Sequence, residues 1–479
     1  MTSSIIPLSV DETVNWSDEE LAGIHLGDKR LNKRAVELLE KLSKHPVGSI
    51  PHGCDEWADT KAAYALFKNE KVTSEKMLKP HHERTWERVR KHKCVLAVQD
   101  TSFLNYSHYE KMEELGPIGT KEQNLRGIVM HNTMAVTPDG VSLGNLHQML
   151  WVRDEEEQNM TAREKKNRPI EEKESYKWIE SLKTIHEKTP DDTLVVSVCD
   201  AESDIYELLV EADKSGANYL IRAAQDRCIL EPEVDKVKNS LSTCKPKADL
   251  KIKVSAKKGK KEPAREAQVS MRYRKIKLKA PDRTKKSCPT PLPNLEVYAI
   301  LVREDNPPAG MTPVEWILLT NVAVKCVKNA LERIKWYCQR WQIEIFFKVL
   351  KSGCRIEHRR LKNFTRLQPC IALFSIIAWR IHWLTNVQRI NPALPCTTAL
   401  AEHEWRGLYA LATRLATEPS EIPTIGQAVI WIAQLGGFLN RKGDGHPGVT
   451  VIWRGWQRLQ DSLSMWLVFN PQKKLMGKT

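Results

Sequence analysis

Two apolar runs, each closing on an aspartate, constrain the fold of this chain more than any other feature. CVLAVQD ends at Asp100, and TLVVSVCD, residues 193–200, ends at Asp200. Short apolar runs rich in Val and bounded by polar residues read as buried strands. The second run leads into a helical pattern over 203–214 and then NYLIRA, residues 218–223. Strand, helix and strand make a β-α-β unit, which demands parallel pairing and an α/β architecture. If the strands of Asp100 and Asp200 are parallel neighbours, both carboxylates emerge at one sheet edge. Open α/β sheets place their sites there. An Asp after a strand is also an ordinary turn or cap residue. Glu202, Asp204, Asp191 and Asp192 lie close enough to be rivals.

A third acid stands in YCQRWQIEIFFKVLK, Tyr337 to Lys351. The stretch has no Gly or Pro and reads as one helix. At about 100° per residue, Arg340, Glu344, Lys348 and Lys351 share a face within about 80°, with Tyr337 among them. The adjoining stripe of Ile334, Cys338, Trp341, Ile345 and Val349 is expected to face a core. Glu344 then sits at the rim of a buried face, ringed by cations. A solvated face with i,i+4 ion pairs is the alternative reading. Three carboxylates converging without His or Cys favour hard divalent cations, Mg²⁺ or Mn²⁺. Two such ions can activate a water or a 3′-hydroxyl against a phosphodiester.

The rest of the chain fits a nucleic-acid partner. Its 479 residues suffice for two to four domains, and the formal charge is +14. From Lys245 to Lys286 there are 17 Lys/Arg against 4 Asp/Glu. Such a block suits a polyanion, although a solvated insertion has the same composition. Eleven cysteines, none closer than Cys326 and Cys338, exclude CxxC patterns and argue against a disulfide framework. A reducing cytoplasm is expected, and the N-terminus lacks signal-peptide features. The most apolar run, Ile371 to Leu384, is interrupted by Arg380 and His382, so a core helix is expected and no membrane span.

In chain order, residues 1–90 read as helices. WSDEEL suggests a capping box with Ser17 as N-cap and Glu20 three residues on. LGDKRLNKR puts Lys29, Arg30, Lys33 and Arg34 near a helix start. Residues 128–136 and 141–152 read as strands joined at TPDG, an antiparallel meander with the Asp100 strand. Residues 154–175 read as a charged loop or mobile helix. Residues 225–310 break the rhythm and read as a basic, β-rich insertion, after which VEWILLTN restores the core. From about 355 the chain reads as helical, with Pro-marked joints at QPC, NPALP and EIPTIG and Trp-rich final helices. Those helices carry too much apolar surface for an isolated tail, and a protein–protein interface is expected.

The run Tyr337, Arg340, Glu344, Lys351 resembles the Y-R-E-K signature of bacterial cut-and-paste DDE transposases, the insertion-sequence family typified by the transposase of transposon Tn-five. VQDTSFLNY around Asp100 and VCDAESDI around Asp200 are similar to that family's first two acidic motifs. LGDKRLNKR, AAYALFKN, WILLT, IAQLGGF and WRGWQRL extend the resemblance over nearly the whole chain. Tyr206 and the lysine density at 251–286 depart from the pattern.

The resemblance implies an α/β protein with a ribonuclease H-like mixed sheet core and a β-rich insertion. It would carry an all-helical N-terminal DNA-binding domain and a helical C-terminal dimerisation domain. The expected boundaries are 1–90, 91–390 with the insertion at about 225–312, and 391–479. Asp100, Asp200 and Glu344 would bind two Mg²⁺ (or Mn²⁺) ions. Arg340 and Lys351, with Lys348 on the same face, would hold phosphates, and Tyr337 would hydrogen-bond the DNA backbone. Trp316 would stack on a base flipped from a DNA hairpin, though a core Trp on a strand is the alternative. Lys29, Arg30, Lys33 and Arg34 would contact the terminal inverted repeat. Double-stranded DNA, both transposon ends and target, and a second copy in a synaptic homodimer are the expected partners, in the bacterial cytoplasm at the nucleoid. A nuclease or resolvase on the same core, or a non-enzymatic DNA-binding regulator, remain the rival readings.

Overall fold

The computed structural model describes residues 15–54, 56–254, 262–283, 287–288, 290–415 and 419–469. They divide into two compact units. One holds the helices before His92, Thr101–Gln158 and the chain from Gln342 on; the other holds Lys93–Asp100 and Asn159–Trp341.

The first unit opens with α1 (Trp16–Glu20), α2 (Lys29–Lys44), α3 (Ile50–Gly53), α4 (Trp57–Lys68) and α5 (Ser74–Val89). Asp28 starts α2 by accepting the Arg30 N–H at 2.7 Å. Leu31, Ala35, Leu38, Leu39 and Leu42 then recur at helical spacing and are buried. The capping box expected at Ser17 is not formed. Asn15 caps α1, and Ser17 and Glu20 are both buried. Glu20 has a different task. Its carboxylate accepts from Arg88 and lies 2.6 Å from His81 Nδ1. His81 Nε2 in turn accepts the Asn145 backbone N–H at 2.9 Å. That acceptor role fixes the neutral Nδ1–H tautomer, and burial holds the His81 pKa below its ordinary value. Burial alone would raise the Glu20 pKa. The Arg88 charge and the His81 hydrogen bond outweigh it and hold Glu20 at about 2.

Strand β1 (Cys94–Asn105) runs through both units. The first unit continues with β2 (Gly116–Pro117), β3 (Arg126–Val136) and β4 (Ser142–Trp151); β3 and β4 pair antiparallel across the TPDG turn. The charged segment that follows forms two short helices, α6 (Glu155–Asn159) and α7 (Ala162–Asn167).

In the second unit, α8 (Tyr176–Lys188) precedes β5 (Leu194–Cys199), and α9 (Tyr206–Ser215) leads to β6 (Asn218–Arg222). Both β1–β5 and β5–β6 pair in parallel, as the β-α-β pattern requires. The insertion supplies α10 (Val237–Thr243), β7 (Ala248–Val254), β8 (Arg265–Leu278) and β9 (Leu295–Arg303), followed by β10 (Glu315–Thr320). These strands continue the sheet in the order β1-β5-β6-β10-β9-β8-β7. Segments 255–261 and 284–286 of the Lys-rich block lie outside the described residues. Trp178, Leu182, Tyr206, Leu209, Tyr219, Ile276 and Leu301 form the core between the helices and the sheet.

The expected single helix over Tyr337–Lys351 is three pieces. α11 (Val327–Cys338) and α12 (Trp341–Lys348) meet at the turn Gln339–Arg340. A π-helical turn then covers Val349–Gly353, with Cys354 N–H donating to Val349 O at 2.7 Å. The apolar stripe is kept only in part: Ile334 and Val349 are buried and Ile345 is half-buried. Cys338 is exposed and Trp341 is 58 % exposed, while Ile343, Phe346, Phe347 and Leu350 are buried.

The chain from Gln342 on returns to the first unit. α13 (Phe364–Ile390) is long and apolar enough to cross a membrane, yet 94 % of its apolar window is buried inside the protein. Pro369 lies within its second turn and makes no joint. α14 (Glu402–Thr413), α15 (Ile425–Leu435) and α16 (Val449–Phe469) follow. At the α15–α16 seam a methyl on Gly455 would overlap the Ile432 carbonyl, and one on Gly436 that of Val451. Met465, Val468 and Phe469 at the end of α16 are exposed.

Two outcomes are expected. Gly455→Ala overpacks the seam and destabilises the protein by about 1–3 kcal/mol, whereas Gly448→Ala, with open space around it, is neutral; thermal melts of both variants check this. Glu20→Gln leaves Arg88 without its buried counter-charge and costs about 3–5 kcal/mol at neutral pH. Because the folded Glu20 pKa is depressed from 4.5 to about 2, its contribution is full above 4.5 and fades as pH falls toward 2. Denaturant unfolding across that window is flatter with pH in the variant.

Candidate active site

The parallel register of β1 and β5 pairs Cys94 with Leu194 and continues to Val98 with Val198. Extended by two residues, it sets Asp100 level with Asp200. Side chains alternate along a strand, so both carboxylates project from the face that carries Val98 and Val198. Neighbouring strands lie about 4.8 Å apart. Asp100 does not end its strand, as the apolar run suggested, since β1 continues to Asn105. Asp200 does follow the end of β5. Its Oδ1 accepts the Glu202 N–H at 2.9 Å, capping a 3₁₀ turn over Ala201–Ser203. Its Oδ2 has no hydrogen-bond partner among the described residues.

Two of the rival acids, Asp204 and Glu202, are set apart by their surroundings. Asp204 is buried against Arg227, with Nε 2.8 Å from Oδ1, and its Oδ2 accepts the Ala224 and Gln225 N–H groups. Such a fully satisfied carboxylate is structural. Glu202 is exposed. Tyr206 is buried and donates its hydroxyl to Pro293 O at 2.8 Å.

Three more residues of the second unit gather at this level. Arg340, at the joint between α11 and α12, holds Nη1 3.4 Å from Asp100 Oδ2 with both side chains largely buried. Tyr337 is 7 % exposed. Burial raises its pKa, with Arg340 and Arg222 drawing it back and Asp200 adding to the rise. The phenol is therefore protonated, and it lies within the field of both Asp200 and Arg340. Trp316 sits on the half-buried end of β10, its ring 6.0 Å from that of Tyr337. It is not a core Trp.

Arg222 is the residue that the sequence reading missed. The β5–β6 register pairs Cys199 with Ile221, which sets Arg222 level with Asp200. Its guanidinium has no acidic partner among the described residues. The available signal was its place at the end of NYLIR, the strand parallel to that of Asp200.

Glu344, Lys348 and Lys351 belong to the first unit. Glu344 is half-buried on α12, four residues beyond Arg340 along the chain. Gln342 anchors α12 to α13, accepting at Oε1 from His382 Nε2 at 2.8 Å and from Asn386 at 3.1 Å. Burial drives the His382 pKa down to about 3, so this anchor is uncharged. Lys348 is exposed. Lys351 leaves the π turn and donates to Phe103 O, at the far half of β1, at 2.7 Å; burial lowers its pKa.

The N-terminal cations lie on α2. Lys29, Arg30 and Lys33 are exposed and Arg34 is half-buried. Arg30 pairs with Asp28, and Lys33 lies 3.7 Å from Glu37. The first turn of α2 contains no acid. Cations there oppose the helix dipole, and bound anions would relieve that arrangement. The Lys-rich block is more balanced than its composition. Arg265 pairs with Glu304, Arg272 with Asp305, Arg274 with Glu231, Lys275 with Glu296 and Arg283 with Glu207.

Three family models match the chain. The transposase DNA-binding model covers residues 13–72, the transposase DDE domain model covers 174–378, and the transposase Tn5 dimerisation domain model covers 376–464. Asp200 and Glu344 fall within the DDE match, and Asp100 precedes it. Helical ends flank the central mixed sheet, and the three matches follow one another in that order. The chain belongs to the Tn5-type DDE transposases.

Proposed function

We propose that this transposase works by cut-and-paste, with Asp100, Asp200 and Glu344 as its catalytic carboxylates. The level placement of Asp100 and Asp200 on adjoining parallel strands is the observation that carries the reading. Two carboxylates that close repel each other unless cations intervene. Arg340 supplies one positive charge, and the oxygen-only donor set suits Mg²⁺ or Mn²⁺. Two such ions, when bound, would activate the attacking oxygen and stabilise the leaving one.

The chain's own residues do the positioning. Arg340, Lys351 and Lys348 hold phosphates near the scissile bond, and Arg222 adds a fourth cation beside Asp200. Tyr337, kept protonated, donates to the DNA backbone. Trp316 offers an aromatic face to a base turned out of the duplex. Lys29, Arg30, Lys33 and Arg34 engage phosphates of the terminal inverted repeat. Water first attacks the transposon-end phosphodiester. The freed 3′-hydroxyl attacks the opposite strand and forms a hairpin. A second water opens the hairpin, and the 3′ end joins target DNA. Two copies, meeting through the C-terminal helices, hold the two ends at the nucleoid. We assign residues 1–90 to end binding, 91–390 to catalysis and 391–479 to dimerisation.

With Mg²⁺ and a labelled end duplex, Glu344→Ala lowers cleavage by about three orders of magnitude and leaves end binding in a gel shift intact. A chelator has the same effect on the unaltered protein. Retained cleavage by Glu344→Ala refutes the assignment, and cleavage without joining of pre-cut ends points to a nuclease instead. Trp316→Ala nicks normally but forms hairpins about 10- to 100-fold more slowly, as loss of a base stack worth about 1–3 kcal/mol implies.

A further inference from the structure

We infer that His45, His52 and Asp461 form a transition-metal site that takes Zn²⁺. His45 is the C-cap of α2, His52 stands on α3 and Asp461 on α16, all in the first unit. One ligand atom from each lies within 4.8 Å of the other two. His45 Nδ1 is 3.5 Å from Asp461 Oδ1, and the His45 and His52 rings meet edge to face at 5.2 Å. Donors about 2.0–2.1 Å from a tetrahedral ion are about 3.3 Å apart. The His45–Asp461 edge already has that span. His52 is exposed, so its ring has room to turn toward the other two donors. Two imidazoles and one carboxylate suit Zn²⁺, whereas Mg²⁺ prefers oxygen alone. Water would complete the coordination.

The frame around these three side chains is rigid. Buried Arg359 donates to the Pro46 carbonyl at 2.6 Å and to that of Gly48, clamping the loop between the histidines. Gly48 lacks the side chain that would collide with the His52 ring. Trp456 Nε1 donates to Ser43 O at 2.9 Å and fixes α16 beside the end of α2. A backbone frame fixed in this way leaves only side-chain freedom to be lost on binding, which favours affinity. His45 and His52 lie in the segment matched by the DNA-binding model, and Asp461 in that matched by the dimerisation model. A bound ion therefore braces one segment against the other.

The test is titration of tag-free, full-length protein with Co²⁺ in excess Mg²⁺, followed by visible absorbance, with Zn²⁺ displacing the signal. Unaltered protein and Glu344→Ala bind one Co²⁺ that His52→Ala and Asp461→Ala lose or bind at least about tenfold more weakly. Zn²⁺ raises the melting temperature of the unaltered protein but not of His52→Ala. Both substituted side chains are exposed, so the variants fold. Equal stoichiometry and affinity in all four proteins overturns the site, as does a signal lost in Glu344→Ala and kept in His52→Ala.

Discussion

The register between β1 and β5 is the constraint on which the proposed chemistry rests. A slip of one residue would send one aspartate through to the opposite face of the sheet. Burial on both sides prevents that slip. Val95, Leu96, Val98, Val196 and Val198 are buried along the pair, and moving any of them into register with a polar neighbour would cost several buried side chains at once. Parallel pairing also brings the same ends of the strands together. Two acids a hundred residues apart in sequence thus become neighbours through backbone hydrogen bonding alone.

Charge is then distributed around that fixed pair. Arg340 reaches Asp100 from a helix joint, while Arg222 arrives beside Asp200 from the next strand. Tyr337 adds a hydroxyl that does not titrate in the working range. Elsewhere the molecule settles its charges internally. Glu20, Arg88 and His81 satisfy one another in the packed first unit, and much of the basic insertion is bound up with its own acids. Arg222, whose guanidinium has no acidic partner among the described residues, is thereby set apart from the paired charges.

Much of this was legible in the chain. The Asp200-terminated strand, the β-α-β unit and the alternating strands of the insertion obey local periodicities that the tertiary structure respects, whereas the strand of Asp100 runs on to Asn105. What escaped did so for physical reasons. The Gln339–Arg340 turn has no Gly or Pro to announce it, so a continuous helix was the natural expectation, and Cys338 and Trp341 fell out of the buried stripe. The π turn at Val349–Gly353 adds a residue to one turn and rotates Lys351 away from its expected bearing. Ser17 and Glu20 fit a cap by spacing, but partners sixty residues away outbid the local bond. Arg222 was invisible because only the sheet order places it beside Asp200.

The glycine seam between α15 and α16 has a consequence for assembly. Helices that touch backbone to backbone cannot roll or slide over one another as side-chain layers do. The exposed Met465, Val468 and Phe469 at the end of α16 are therefore presented in a single fixed pose. If a second copy docks there, in line with the proposal, a surface already ordered surrenders less entropy on association.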